Sequence, residues 1–158
     1  MPNTSEQHQQ HIATLRAFPD QLEALVNGLS AEQLTTAYLP GEWTVAQNVH
    51  HLADSHLNAY IRLKLMLAED NPTIKPYDQE VWAQQADATD ADIRPSLLIL
   101  RGLHTRWTQL FDSLTEAQWV RPGYHPEVGA ISPDWLAQHY HEHCLAHIDQ
   151  ITRTLAAS

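Results

Sequence analysis

The chain has 158 residues, 43% of them hydrophobic and 18% charged, and its formal net charge at pH 7 is −10. A chain of this length buries enough apolar surface for one core, so we expect residues 1–158 to form a single domain. The acidic balance, with lysine present only at Lys64 and Lys75, excludes nucleic acid and anionic membranes from the expected partners.

The sequence also predicts a cytoplasmic protein. It contains no run of about 18 apolar residues, which a membrane span would need. The first residues lack the basic and apolar regions of a signal peptide. Cys144 is the single cysteine, which excludes an internal disulfide and is typical of a reducing compartment.

The spacing of apolar residues and the helix-start signals predict an all-α protein with no strand. Four long helices are expected at 5–27, 44–69, 94–113 and 133–156, the first with Pro19 inside it. The capping boxes "SAEQ" (30–33) and "TEAQ" (115–118) predict short helical turns in the connections. The connection between the second and third helices is long enough to cross a bundle, so we expect a four-helix bundle whose order need not be up-down-up-down.

Histidine is frequent, with 11 residues in the chain, and four of them lie in the segment "HYHEHCLAH" of the last helix. His139, His143 and His147 are four residues apart, so they share one helix face. His141 falls on the opposite side and is expected to face solvent. The His-x-x-x-His spacing is a recurring metal-ligand pattern, and partly buried histidines with local hydrogen bonds are an equally weighted alternative.

The second helix carries a polar strip beside its apolar stripe. A catalytic metal site would need a third ligand from a neighbouring helix, and His50, His51 and His56 are the candidates. His51 lies in the polar strip, whereas His50 points away from it and His56 falls in the apolar stripe as an expected core histidine. The strip consists of Gln47, His51, Asp54, Ser55, Asn58 and Arg62.

Several stretches resemble the DinB-like superfamily, and in particular its YfiT-like subgroup of bacillithiol transferases, which are also described as metal-dependent hydrolases. They are "GEWTVAQNVHHLADSHLNAYIRLKL", "EDNPTIKPYD", "LHTRWTQLFDSL", "YHPE" and "HCLAHIDQI", and the resemblance runs from about residue 20 to 153. It implies a four-helix bundle in up-down-down-up order. It also implies that His51, His143 and His147 bind the metal, with His139 outside the pattern as a supporting residue or an alternative ligand.

Three neutral imidazoles would leave a divalent metal, zinc or nickel, with its charge uncancelled and a position open for catalysis. The resemblance implies metal-dependent transfer of a low-molecular-weight thiol, such as bacillithiol, to an electrophilic small molecule. Hydrolysis by metal-activated water is the alternative, and a non-catalytic metal-binding module of the stress response is the second alternative.

Further residues are candidates for the reaction. Asp54 follows His51 by one turn and is expected to orient it or accept a proton, unless it is a solvated carboxylate. Cys144 is expected to be buried and inert. The expected partners are a small-molecule substrate and a second copy in a homodimer. Candidates for substrate binding are Asn58, Arg62, Tyr77, Tyr124 and His139, with Asp78 and His125 on the loops that the resemblance marks.

Overall fold

The computed structural model describes residues 2–158, and four long helices dominate them. These are α1 (Ser5–Val26), α3 (Val45–Ala68), α5 (Arg94–Asp112) and α7 (Pro133–Ala156). Three short helices lie in the connections, namely α2 (Ala31–Thr35), α4 (Gln79–Ala83) and α6 (Glu116–Trp119). Two strands, β1 (Gly123–His125) and β2 (Gly129–Ile131), precede α7.

The long helices begin and end within one residue of the predicted positions because their starts carry strong local signals. The hydroxyl of Thr44 accepts a hydrogen bond from the Gln47 backbone, and the Gln47 side chain bonds back to Thr44. This reciprocal capping box satisfies two backbone donors that the helix leaves free. The hydroxyl of Ser132 caps α7 by accepting a hydrogen bond from the Trp135 backbone, and Pro133 lies in the first turn, where its missing N–H costs nothing.

The long helices run in up-down-down-up order, as the contacts between their side chains show. Parallel contacts join α1 to α7 and α3 to α5, whereas antiparallel contacts join α1 to α5 and α3 to α7. The parallel pairs are His8–Asp134, Thr14–His141, His50–Ser96 and His56–His104. The antiparallel pairs are Arg16–Asp112, Asp20–Arg101, His51–His143 and Asn48–His147. Because α3 and α5 point the same way, the connection between them runs back along the bundle.

The prediction of no strand was wrong. Gly123 pairs with Ile131 in a two-stranded antiparallel hairpin. Gly129, the first residue of β2 after the turn, has a φ of +90°, a conformation that glycine adopts without strain. The Ile74 backbone donates a hydrogen bond to the Tyr124 carbonyl, so the hairpin holds the long crossover connection. Strands of three residues are too short to show the alternation by which strands are recognised.

Pro19 lies inside α1 without ending it. Proline has no backbone N–H, so the carbonyl of Leu15, four residues earlier, loses its usual partner within the helix. The imidazole of His104 on α5 donates to this carbonyl instead. Within residues 2–158, every helix is too short or too polar to cross a membrane.

Candidate metal centre

The structure brings together the three histidines that the sequence predicted as ligands. His51 projects from α3, and His143 and His147 project from one face of α7. One ring nitrogen from each lies within 4.8 Å of the others. The Nε2 atoms of His51 and His143 are 3.3 Å apart, and the ring centroids of His143 and His147 are 4.4 Å apart. We call these residues the histidine triad.

The spacing of the triad fits a divalent metal. Zinc in tetrahedral coordination has nitrogen ligands at about 2.0–2.1 Å, which places neighbouring nitrogens about 3.3–3.4 Å from each other. The distance of 3.3 Å between the Nε2 atoms of His51 and His143 agrees with this nitrogen–nitrogen spacing. Three imidazole nitrogens within 4.8 Å of one another, with one pair at the tetrahedral spacing, are therefore a donor set that fits a divalent metal.

Burial keeps the triad neutral, which is the protonation state that binds metal. It lowers the pKa of His51 to about 3 and the pKa of His147 to about 4. Burial is also the main reason why the pKa of His143 lies well below its usual value, and the neighbouring His147 and His51 lower it further. At neutral pH the three imidazoles are therefore already unprotonated at one ring nitrogen, and a metal can bind them without first displacing protons.

Asn48 fixes the orientation of His147. The amide nitrogen of Asn48 donates to the Thr44 carbonyl at 3.0 Å, so its amide oxygen faces His147 as an acceptor. The Nδ1 atom of His147 lies 2.8 Å from that oxygen and must donate to it. In a neutral ring the Nε2 atom then carries the lone pair, as a ligand requires.

Two more histidines form a hydrogen-bonded series with the ring nitrogen of His143 that faces away from the triad. The Nδ1 atom of His143 lies 3.2 Å from Nε2 of His56, and Nδ1 of His56 lies 2.8 Å from Nε2 of His104. Nδ1 of His104 reaches the Leu15 carbonyl at 2.5 Å. His56 is thus the hydrogen-bonded core histidine that the sequence predicted, and the chain of contacts crosses the bundle from α7 to α1.

Two cavities reach the triad from different sides. The larger has a volume of about 750 Å³ and includes His143 in its wall. The smaller has a volume of about 310 Å³ and includes His51 and His147 with Trp43, Glu42 and Glu80. The triad is therefore accessible to a small molecule from both directions.

Three of the predicted substrate-binding residues line the larger cavity, namely Arg62, Tyr77 and His139. The Arg62 guanidinium lies 6.0 Å from the centroid of the Tyr77 ring. His139 stacks on Trp135 with ring centroids 4.5 Å apart, and its ring centroid is 6.2 Å from that of His143. His139 therefore belongs to the cavity wall and lies outside the triad. Asp78 and His125 line this cavity as well.

Asp54, Asn58 and Tyr124 line neither of these cavities. The carboxyl of Asp54 is half-buried, and burial together with the nearby Asp87 raises its pKa. Asn58 donates its amide N–H to the Asp54 backbone carbonyl, and Tyr124 is 46% exposed on β1. Within residues 2–158 the Asp54 carboxyl makes no hydrogen bond to the triad, so its catalytic role stays a prediction.

The expectation that His141 faces solvent was wrong. Its Nδ1 atom lies 2.8 Å from the Thr14 hydroxyl, and its ring centroid is 4.8 Å from that of His11. The side of α7 that carries His141 packs against α1, because the two helices are parallel neighbours. A helical wheel gives the direction of a side chain but does not show which helix covers it.

Other residues at the site were missed as functional. Tyr140 and Ser55 line the larger cavity, and their hydroxyl oxygens are 3.3 Å apart. Burial raises the pKa of Tyr140, so its phenol stays protonated and can donate a hydrogen bond. No sequence signal marked the hydroxyl of Tyr140 or the buried amide of Asn48.

The fold and the site define a four-helix bundle in up-down-down-up order with three histidines from two antiparallel helices beside a cavity. Residues 14–151 match the family model of the DinB superfamily, and the chain belongs to this superfamily. It is 41% identical over 160 residues, 98% of this chain and 89% of the relative, to "Putative metal-dependent hydrolase YfiT" of Bacillus subtilis (strain 168).

Two further comparisons agree. A Geobacillus thermodenitrificans protein named "Putative metal-dependent hydrolase" is 51% identical over 117 residues, 74% of this chain and 66% of the relative. The solved structure of YfiT from Bacillus subtilis matches with a TM-score of 0.87 and 41% identity, covering 99% of this chain and 91% of that one. That protein is described as "a probable metal-dependent hydrolase with an unusual four-helix bundle topology".

Proposed function

We propose that this protein is a metal-dependent enzyme that transfers a low-molecular-weight thiol, bacillithiol or a similar molecule, to an electrophilic small molecule. The observation that carries the proposal is a cluster of three neutral histidines, one of which, His143, lines a cavity of about 750 Å³ that Arg62 also lines. His51, His143 and His147 would hold zinc or nickel. When bound, the metal supplies Lewis acidity that lowers the pKa of a thiol or a water molecule.

The histidine triad leaves the charge of a divalent metal uncancelled. The hydrogen-bond partners of its ring nitrogens are the amide of Asn48 and the ring of His56. Within residues 2–158, no carboxylate hydrogen-bonds to a triad histidine. An uncancelled positive charge favours an anionic form of the nucleophile, so a thiol would meet an environment that ionises it.

Arg62 supplies the binding group for a carboxylate of the thiol co-substrate. Its side chain is half-buried in the cavity wall and donates a hydrogen bond to the Lys75 carbonyl at 3.4 Å. Among the described residues it forms no ion pair with a carboxylate. An unneutralised guanidinium in a cavity binds carboxylates through paired hydrogen bonds. The hydroxyls of Tyr140 and Ser55 offer further hydrogen bonds on the side of His143.

The reaction is a substitution at an electrophilic carbon. A carbon–sulfur bond forms as the bond from that carbon to the leaving group breaks, and the leaving group departs with the electron pair. The thiol proton is released. The chain contributes by holding the two reactants in adjacent parts of one cavity, which replaces a bimolecular encounter with a local one.

Hydrolysis is the second candidate, and the names of the relatives favour it. The same ligands would activate water in place of a thiol, and the substrate would be an amide or an ester. The two reactions differ in the nucleophile, so the thiol requirement separates them.

The test is turnover of monochlorobimane by zinc-loaded protein with and without an added thiol, beside release of nitrophenol from nitrophenyl esters without thiol. We expect chloride displacement to require both the thiol and the intact triad, and to disappear in His147→Ala. Ester turnover that depends on the triad, with no thiol-dependent bimane reaction, would replace transfer by hydrolysis. Absence of both activities in fully metallated protein would overturn the enzymatic assignment.

A further inference from the structure

We propose that the backbone carbonyl of Leu15, left free by Pro19, sets the proton positions of His104, His56 and His143, so that His143 presents the lone pair of Nε2 to the metal. His104 and His56 are thereby positioning residues for a ligand on another helix. The proposal rests on the proposed function only in taking His143 as a metal ligand. We call the series Leu15–His104–His56–His143 the histidine relay.

The relay begins at a group that accepts hydrogen bonds and cannot donate. The N–H that would normally bond to the Leu15 carbonyl is missing because residue 19 is proline. Nδ1 of His104 lies 2.5 Å from this carbonyl oxygen. Since a carbonyl has no proton to offer, Nδ1 of His104 must carry the hydrogen.

Each following proton position is determined by the one before it. A neutral imidazole has one N–H, so Nε2 of His104 is an acceptor, and Nδ1 of His56 at 2.8 Å must donate to it. Nε2 of His56 is then an acceptor in turn, and Nδ1 of His143 at 3.2 Å must donate to it. The lone pair of His143 is left on Nε2, the atom that lies 3.3 Å from Nε2 of His51.

Burial makes this arrangement exclusive. His56 and His104 are 0% and 1% exposed, with Phe18 and Trp107 packed around the two rings. Moving the proton of any one ring to its other nitrogen would place two lone pairs or two N–H groups opposite each other in a site without bulk water. A buried polar group without a partner costs about 1–3 kcal/mol, so the order that satisfies every contact dominates.

The direct test is nitrogen NMR of the histidine rings in the metal-free full-length chain at neutral pH, without any substrate. We expect His104, His56 and His143 all to carry their proton on Nδ1. A proton on Nε2 of any of the three would overturn the relay. Because no metal or substrate is present, this result is independent of whether the protein catalyses thiol transfer.

A variant pair tests the consequence for the metal. His104→Leu removes the acceptor for His56, and we expect the dissociation constant for Zn²⁺ to rise about 10- to 100-fold, as for other residues behind a metal ligand. The proton of His143 should then be shared between its two nitrogens.

His50→Leu is the matched control. His50 is a buried histidine on α3 with two hydrogen bonds, to Ser96 and to the Asp90 carbonyl, and it stands outside the relay. The His50→Leu variant should keep the wild-type affinity for Zn²⁺ and the wild-type position of the His143 proton. Equal effects of both variants on affinity, or none from His104→Leu, would contradict the proposal. If His104→Leu does not fold, the proton positions in the wild-type chain decide.

Discussion

The Nε2 atoms of His51 and His143 lie 3.3 Å apart although 92 positions separate the two residues in the chain. The antiparallel packing of α3 and α7 brings them together, and that packing depends on the crossover connection between α3 and α5. The hairpin β1–β2 holds this connection through backbone hydrogen bonds between residues 72–74 and Tyr124. The proposed metal centre is thus a product of the helix order.

Asn48→Ala is expected to weaken Zn²⁺ binding about 10- to 100-fold, because His147 loses the acceptor that fixes its ring. Competition against a chromophoric chelator measures this constant. Asn58→Ala is the matched control, since the Asn58 amide makes the same bond to a carbonyl four residues earlier on α3 without touching a triad histidine. An equal loss of Zn²⁺ affinity in the two variants would show that Asn48 supports the helix and does not orient His147.

The stability of the metal-free protein should fall as the pH decreases from about 6.5 to about 4. Burial lowers the pKa of folded His104 from 6.5 to about 4, so the unfolded chain binds a proton in this window and the folded chain does not. The stability that His104 contributes is fully present above the pKa of the unfolded chain, and it is lost as the pH falls towards the pKa of the folded chain. The shift corresponds to on the order of 3 kcal/mol.

Urea unfolding at a series of pH values measures this dependence. Wild type should show a steeper decline than His104→Leu, which lacks the titrating group. Parallel curves for the two proteins between pH 6.5 and pH 4 would mean that His104 is protonated equally in the folded and unfolded states.

Arg62→Gln is expected to raise KM for a carboxylate-bearing thiol about 10- to 100-fold with little change in kcat. Hydrogen bonds to charged groups contribute about 1.5–3 kcal/mol, and this one would form equally in the bound and reacting states. Steady-state rates at varied thiol concentration give both constants.

Arg106→Gln controls for the loss of an arginine. Arg106 lies over the ring of Tyr60 at 5.5 Å, much as Arg62 lies over Tyr77, but it lines neither cavity at the triad. An increase of KM in Arg106→Gln as large as in Arg62→Gln would remove Arg62 from the binding site.

Cys144 should not react in the native protein. It is 1% exposed, and burial raises the pKa of its thiol well above the usual value, so the reactive thiolate is scarce. A chromogenic disulfide reagent should label it only after unfolding in urea. Rapid labelling of the folded chain would contradict this, and would require Cys144→Ser protein for every thiol-transfer assay.

Much of the fold was predictable because its signals are local. The capping residues Thr44 and Ser132 lie next to the helices they start, and the long helices match the predicted ranges within one residue. The three-residue strands were not predictable, because their pairing depends on contact with the crossover connection and not on an alternating pattern of their own.

The site was predictable in part for the same reason. The spacing of His143 and His147 lies within one helix, and His51 was singled out by its polar strip and by the resemblance to the superfamily. The relay was not predictable, since it joins Leu15, His56 and His104 from three helices. The position of His141 against α1 likewise follows from helix packing, which periodicity does not specify.

The central claim is that two distant helices build one metal site. Its most direct test is metal content by mass spectrometry on tag-free protein purified without a nickel column, for wild type, His51→Ala and His147→Ala. The account predicts about one zinc or nickel per chain in wild type and loss of the metal in both variants, with His50→Ala retaining it. Wild-type protein that stays metal-free after reconstitution, or variants that keep full occupancy, would contradict the account.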